Sequence, residues 1–293
     1  MLKLTDLVYR YPNSTQNSLN AIRLEIQAKQ CVGLLGANGA GKTTLLSILA
    51  GLLQRTSGSM QWSQPVTLGL VPQSLAFYAG LSVQENLSLF ADIYQLSAQQ
   101  RQQQMALAID AAQLSTLLKK KAGQLSGGQQ RRLNFAIGLL APANLFLLDE
   151  VTVGVDSLNR QHLLQSIQAL KQEGKSIVYT SHYLPEVEQL ADQLIILKQG
   201  NVLLNQSMHQ ELAQHCLHAE WPDSVPSSII QFCTQLGLSF QHSKQSLSIS
   251  NLAEEHWPTL LSLINSTSNA PSTLDYSRPS LEQFYLKACE ETT

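Results

Sequence analysis

Gly36-Ala37-Asn38-Gly39-Ala40-Gly41-Lys42-Thr43-Thr44 is the stretch whose reading decides the fold. It fits G-x-x-x-x-G-K-[ST], a loop that wraps nucleotide phosphates. Before it, Gln30-Cys31-Val32-Gly33-Leu34-Leu35 reads as a buried strand, and after it Thr44-Leu45-Leu46-Ser47-Ile48-Leu49-Ala50 reads as a helix. Strand, glycine loop and helix together turn a text match into a site. Glycines let successive backbone N–H groups point at phosphate, and the helix N-terminus adds favourable partial charge. Lys42 supplies a full positive charge, and the Thr43 hydroxyl can ligate magnesium. The expectation is a site for a nucleoside triphosphate, spread over Gly36, Asn38, Gly39, Ala40, Gly41, Lys42, Thr43 and Thr44.

The rest of the chain bounds what can be built around that loop. At 293 residues, with 44% hydrophobic and 14% charged content, it is a globular protein with room for one large domain and a smaller one. A formal net charge of −2 gives no electrostatic reason to bind nucleic acid or anionic lipid. The N-terminus lacks the apolar core of a signal peptide. The longest apolar stretch, Ala136 to Leu148, is interrupted by Pro142 and Asn144 and falls short of the roughly 20 residues a spanning helix needs. Any membrane role is therefore expected to come through a partner. Cys31, Cys216, Cys233 and Cys289 are scattered, which reads as free thiols in a reducing cytosol.

Of the 16 glycines only Gly237 lies beyond residue 200, and that shift marks a boundary near residue 215. Before it, apolar strands at Leu2–Tyr9, Cys31–Leu35, Val66–Val71, Leu145–Leu148, Ser176–Thr180 and Gln193–Leu197 alternate with helical segments. Such alternation implies an α/β fold with a mainly parallel sheet. No strand is evident between Pro72 and Leu140, so residues of about 73–140 read as a helical insertion. Residues 216–293 read as a small α+β domain of β-α-β-β-α type. Its β-like runs are Leu238–His242 and Ser246–Ile249, its helical ones Pro226–Leu236 and Ala253–Ile264, and a closing helix is expected around Ser280–Cys289.

Leu145-Phe146-Leu147-Leu148-Asp149-Glu150 is an apolar strand ending in two acids. The first carboxylate, at a strand tip beside the phosphate loop, can hold magnesium, and the second can polarise an attacking water. Gln124-Leu125-Ser126-Gly127-Gly128-Gln129-Gln130-Arg131-Arg132 is a second glycine turn opening a second helix. One nucleotide does not need two cradles, so Ser126 and the Gly127 and Gly128 amides suit a γ-phosphate held by another molecule.

With the run Leu125–Gln129, L-S-G-G-Q, the chain resembles the ATP-binding subunits of ABC transporters over about residues 1–215. The resemblance implies two ATP and Mg2+ sandwiched head to tail between two such domains, and a separate membrane permease driven by them. It further implies that Tyr11 stacks on adenine, that Gln73 in Val71-Pro72-Gln73 is a magnesium and water ligand, and that His182 in Thr180-Ser181-His182 touches the γ-phosphate. Asp156 in Val153-Gly154-Val155-Asp156 matches the loop that contacts the opposite subunit, and Ser126, Gly127, Gly128 and Gln129 match the signature. The implied catalytic set is Glu150, His182, Lys42 and Gln73, and the implied metal ligands are Thr43, Gln73 and Asp149. The runs Thr152–Asp156 with Arg160, Thr180–Glu188 and Ser280–Leu286 are similar to the drug and natural-product export branch, in which the ATPase is a separate polypeptide. That implies a cytoplasmic subunit, paired with a second copy, on the inner face of the cell membrane.

One residue departs from the family pattern: Val151 stands where proline usually follows the catalytic glutamate. Proline would restrict Glu150 to extended angles. A β-branched Val also favours extended backbone, so hydrolysis is expected to survive. Two other readings stay open. A soluble ABC-type ATPase of translation or DNA maintenance would carry two motif sets or a long coiled coil, whereas this chain has one set and no heptad run between Lys42 and Ser126. A regulator that binds ATP with weak hydrolysis is opposed by the presence of Glu150 and His182.

Overall fold

Strand β3 (Cys31–Leu35), β6 (Leu145–Asp149) and β7 (Ser176–Thr180) are buried at every position. Continuous apolar runs of this kind fit the interior of a parallel sheet covered on both faces. The computed structural model, which describes residues 1–208, 215–266, 269–277 and 281, places them at the centre of a six-stranded sheet. β5 (Leu68–Val71), β8 (Gln193–Lys198) and β9 (Asn201–Ser207) complete it in the order β5-β6-β7-β3-β8-β9. The pairs β5·β6, β6·β7, β7·β3 and β3·β8 are parallel.

A second sheet has antiparallel strands in the order β2-β1-β4 (β1 Leu2–Tyr9, β2 Leu19–Ile26, β4 Ser57–Trp62). In β1 the buried Leu2, Leu4, Leu7 and Tyr9 share a core with Leu34 and Val178 of the parallel sheet and with Leu45 of the helix after β3. Helix α1 (Lys42–Leu49) follows β3. Three further helices fill the interval between β5 and β6: α2 (Val83–Ile93), α3 (Ala98–Ala111) and α4 (Gly127–Leu139). Each of these three starts at a serine, Ser82, Ser97 or Ser126, with a complete capping box. α5 (Ser157–Gln172) and α6 (Leu184–Leu190) make the remaining crossovers.

The chain folds as two units, Met1–Gln206 and Ser207–Thr293. That division precedes the boundary near 215 read from glycine usage, and residues 209–214 between them lie outside the described set. The second unit runs β10 (His215–Glu220), α7 (Ser227–Gln235), β11 (Ser239–His242), β12 (Ser246–Leu252), α8 (Trp257–Ser266) and β13 (Thr273–Ser277). Its antiparallel sheet has the order β11-β12-β10-β13, a split β-α-β arrangement. Leu217, Trp221, Ile229, Leu247, Ile249 and Leu260 form its own core.

Several sequence expectations change here. β2, β4, β9 and β13 were not expected, and the strand expected from Val66 begins at Leu68. Thr67 is instead held by Asn144, whose Oδ1 accepts its N–H at 3.0 Å. The closing helix around Ser280–Cys289 lies outside the described residues apart from the single residue Leu281. Among the described residues no helix is long and apolar enough to cross a membrane.

Candidate active site

Parallel strands in register bring their C-terminal ends to one edge of the sheet, where α/β folds bind ligands. Leu34 of β3 and Asp149 of β6 both lie level with Thr180 of β7, and Val71 of β5 lies level with Leu148. The residues that follow these tips are Gly36, Glu150, His182 and Gln73. They meet in one cleft of about 660 Å³, lined by Tyr11, Ser18, Gly36, Ala37, Asn38, Gly39, Gly41, Lys42, Thr43, Thr44, Gln73, Glu150 and His182.

The loop after β3 needs its glycines for two different reasons. At Gly36 a Cβ would come within 2.4 Å of the Leu197 carbonyl oxygen, a backbone approach only glycine permits. Gly41 has φ +106 at the start of α1, and no side chain caps the helix there. The first N–H groups of α1 therefore have no intrahelical acceptor and no side-chain cap, an arrangement suited to an anion. Lys42 is buried, and its Nζ donates to the Gly36 carbonyl at 2.7 Å and the Ala37 carbonyl at 3.3 Å. Its ammonium is thus folded over the loop. Ala40 is buried beneath the loop and lines no part of the cleft.

The acids are held from both sides. Thr43 Oγ1 donates to Asp149 Oδ2 at 2.8 Å and Thr180 Oγ1 to Asp149 Oδ1 at 2.6 Å. Glu150 is buried, with Oε1 4.0 Å from Lys42 Nζ and Oε2 accepting from Gln73 Nε2 at 2.9 Å. Gln73 is itself anchored by the helical insertion. Arg131 of α4 donates to its carbonyl, and Asn134 Nδ2 donates to the Pro72 carbonyl at 2.9 Å.

Glu150 is not extended. Its φ is +50, and its N–H donates to Thr180 Oγ1 at 3.0 Å. With Val151 in place of proline nothing restricts Glu150 to extended angles, and its N–H bond to the tip of β7 holds the left-handed backbone. Tyr11 is exposed at the mouth, edge-on to Tyr9 at 4.9 Å, with its hydroxyl 3.2 Å from Thr44 Oγ1. His182 is exposed on the far wall.

Ser126, Gly127, Gly128, Gln129 and Asp156 do not line this cleft. Ser126 caps α4, accepting the Gln129 N–H at 3.3 Å while Gln129 Oε1 accepts the Ser126 N–H at 3.1 Å. Asp156 caps α5 by accepting from Asn159 N–H at 3.1 Å, and bonds to Asn159 hold its carboxyl below the usual range. Buried Arg132 of α4 donates to Asn159 Oδ1 at 2.7 Å, joining the two turns. Gly128 packs close enough to the Gly154 carbonyl that a Cβ would come within 2.8 Å of it.

Two residues that shape the site escaped sequence reasoning, Ser18 in the cleft lining and Thr180 buried outside it. Ser18 Oγ lies 3.0 Å from Thr44 Oγ1, and Thr180 holds both Asp149 and Glu150. Nothing local marks Ser18. Thr180 carried one weak signal, a hydroxyl ending an apolar strand. The buried thiols take no part: desolvation pushes the Cys31 thiol up to about 12.

Comparison with known proteins agrees with this geometry. The family described as ABC transporter matches residues 19–153. The linearmycin resistance ATP-binding protein LnrL of Bacillus subtilis is 32% identical over 213 residues, covering 69% of this chain and 68% of that protein. The Nod factor export ATP-binding protein I of Burkholderia orbicola is 33% identical over 201 residues, covering 65% of this chain and 66% of that protein. Other, longer relatives are matched over only 37% of their length. Among solved structures, the ATP-binding cassette MJ0796, a dimer bound to ADP and Pi, is 25% identical with a TM-score of 0.65. That match covers 71% of this chain and 99% of that one.

Proposed function

The chain belongs to the ABC transporter family as an ATP-binding, ATP-hydrolysing subunit, and we propose that it serves the drug and natural-product exporter branch, two copies closing head to tail over two ATP to drive a separate permease. The observation that carries the pairing is the separation of the two glycine turns. The Lys42 turn lines the cleft, while the Ser126 turn lies outside it. A signature turn that cannot serve its own cleft serves that of a second copy. MJ0796 was solved as a dimer, which supports the same reading.

In each cleft the terminal phosphates rest on the N–H groups of Gly39 and of Gly41–Thr44, with the Lys42 ammonium turned from its loop carbonyls toward them. Adenine stacks on Tyr11, which needs only a π face. Glu150 takes the proton of an attacking water, held in place by Gln73, and His182 lies against the developing charge. Thr43, Asp149 and Gln73 offer hard oxygen donors, the chemistry that suits magnesium. Bound magnesium supplies neutralisation of the terminal phosphate oxygens. Closure moves the helical insertion through the Gln73 segment, which Arg131 and Asn134 tie to α4, and so acts on the permease at the inner face of the membrane. The cargo class follows the relatives named for linearmycin resistance and Nod factor export.

Glu150→Gln tests the reading. The amide keeps its shape but takes no proton, so turnover falls by about 10²–10⁴-fold while ATP binding persists. Light scattering with ATP and magnesium then finds dimers. Monomers at saturating ATP would refute the pairing, and a near-normal rate would remove Glu150 from the base role.

A further inference from the structure

Glu186 of α6 is a carboxylate enclosed away from the cleft, 2% exposed. Its Oε2 accepts three hydroxyls, from Tyr179 at 2.6 Å, Ser181 at 2.7 Å and Thr152 at 2.9 Å. Its Oε1 is buried without a hydrogen-bond partner, 3.7 Å from Arg160 Nε, which also has none. The donors come from different parts of the molecule. Thr152 lies two residues after Glu150, Tyr179 is the last but one residue of β7, and Ser181 immediately precedes His182.

Each contact reaches further. Ser181 Oγ also accepts the N–H of Tyr183 at 3.0 Å, so the residues on both sides of His182 are pinned to one hydroxyl. Arg160 donates through Nη2 to the Val155 carbonyl at 3.3 Å and sits 5.4 Å over the Tyr183 ring. The His182 turn and the loop from Glu150 to Asp156 therefore share one anchor. A buried charge costs free energy unless it is paired and hydrogen-bonded. Three hydroxyls and a cation from separate segments satisfy this one only when those segments are in register. Its proximity also raises the Tyr179 hydroxyl well above its usual range, after burial itself.

We infer that Glu186 is a positioning residue for ATP hydrolysis, holding His182 and the loop after Glu150 in a common register through Ser181, Thr152 and Arg160. The inference rests on the reading that His182 faces the terminal phosphate. Glu186 touches neither nucleotide nor water and acts only through those partners.

A double-mutant cycle on the full-length chain tests it. Glu186→Gln leaves an amide oxygen for the hydroxyls but turns an NH2 toward Arg160. The expected result is a fall in kcat of about 10-fold or more with KM for ATP changed less than about twofold. In a His182→Ala background the same substitution lowers kcat by a clearly smaller factor than it does alone, since the share that passes through His182 is already lost and only the share through the loop after Glu150 remains. Should Glu186→Gln fail to fold, Ser181→Ala, which deletes a single hydroxyl, is read in the same cycle with the same expectations. An unchanged kcat, or a full multiplicative loss in the His182→Ala background, overturns the inference. Loss of turnover in His182→Ala beside a normal Glu186→Gln sinks only the role of Glu186. Normal turnover in His182→Ala sinks the reading of His182 and this inference with it.

Discussion

The turns that open α1 and α4 are both glycine-rich and both precede a helix, yet their chemistry is finished differently. At α1 the chain supplies crowding but no cap: Gly36 is pressed on the Leu197 carbonyl, Gly41 sits at φ +106, and no side chain meets the helix N-terminus. At α4 the chain supplies a full capping box from Ser126 and Gln129, and although Gly128 is pressed on the Gly154 carbonyl, Gly127 has nothing within 4 Å of the place a Cβ would occupy. A helix start that its own chain leaves uncapped but walls in is a site waiting for a ligand. A helix start that is capped is complete as structure, and under the proposed head-to-tail pairing the open side at Gly127 is where the other copy's phosphate approaches. On that proposal the same motif grammar serves an internal pocket in one place and an external edge in the other.

The comparison breaks most visibly at Lys42. Lys42→Ala removes the only full positive charge that the first turn directs at its own cleft, and the ATPase rate is expected to fall by about 10²–10³-fold. Retention of normal turnover would show that the first cradle is not the working one.

Crowding is tested next. Gly36→Ala places a methyl 2.4 Å from a carbonyl oxygen and 2.9 Å from Ala40 Cβ, with an expected loss of about 2–5 kcal/mol of stability. Gly39→Ala, at φ +80 with open space around it, should lose only about 1–2 kcal/mol. Urea midpoints that fail to separate the two variants would mean the loop relaxes freely, and the first turn would lose its claim to be preformed.

The contrast between the turns also explains what was legible in the sequence. Both turns, the acidic strand tip and the central strands are local: glycine spacing and unbroken apolar runs such as Cys31–Leu35 declare themselves within a few residues. β2 was legible in principle, since Leu19, Ile22, Leu24 and Ile26 alternate apart from a shift at Ala21, which has φ +44. β4, Ser-Gly-Ser-Met-Gln-Trp, is half-exposed and polar and becomes a strand only by pairing with β1. Thr180 bonds an acid 31 residues earlier, and Ser18 reaches the cleft from the β1–β2 connection. Contacts of that range leave no periodic trace. Glu150 is the sharpest case: without a proline at 151 nothing local restricts it, and its N–H bond to Thr180 of β7 accompanies a φ of +50.

At the second turn the expected effects on the fold are smaller. Ser126→Ala removes the hydroxyl that accepts the Gln129 N–H, while Gln129 Oε1 still meets the Ser126 N–H. Half a capping box is lost, and stability should drop by about 1 kcal/mol, read from urea unfolding of the nucleotide-free protein. A loss several times larger would mean Ser126 holds more of its own fold than the box.

Gly127→Ala has the smallest effect on the fold and the sharpest meaning. Gly127 is the first residue of α4, its φ is not among the positive values, and an added Cβ meets no atom within 4 Å. Alanine restricts the unfolded chain more than glycine does, so the nucleotide-free protein should be unchanged or more stable by about 0.4–1 kcal/mol. ATP affinity of the isolated monomer should also be unchanged, because Gly127 lines no part of the cleft. Turnover is where the two readings of this turn part. If a second copy brings its phosphate onto the Gly127 and Gly128 amides, a methyl on that face obstructs the approach. ATP-driven dimerisation in the Glu150→Gln background should then weaken by about tenfold or more, a shift of roughly 1.4 kcal/mol. If the turn is merely the start of a helix, dimerisation and turnover stay as they were. A folded, ATP-binding Gly127→Ala protein that dimerises normally would leave the open glycine without an external partner and return the two turns to the same class.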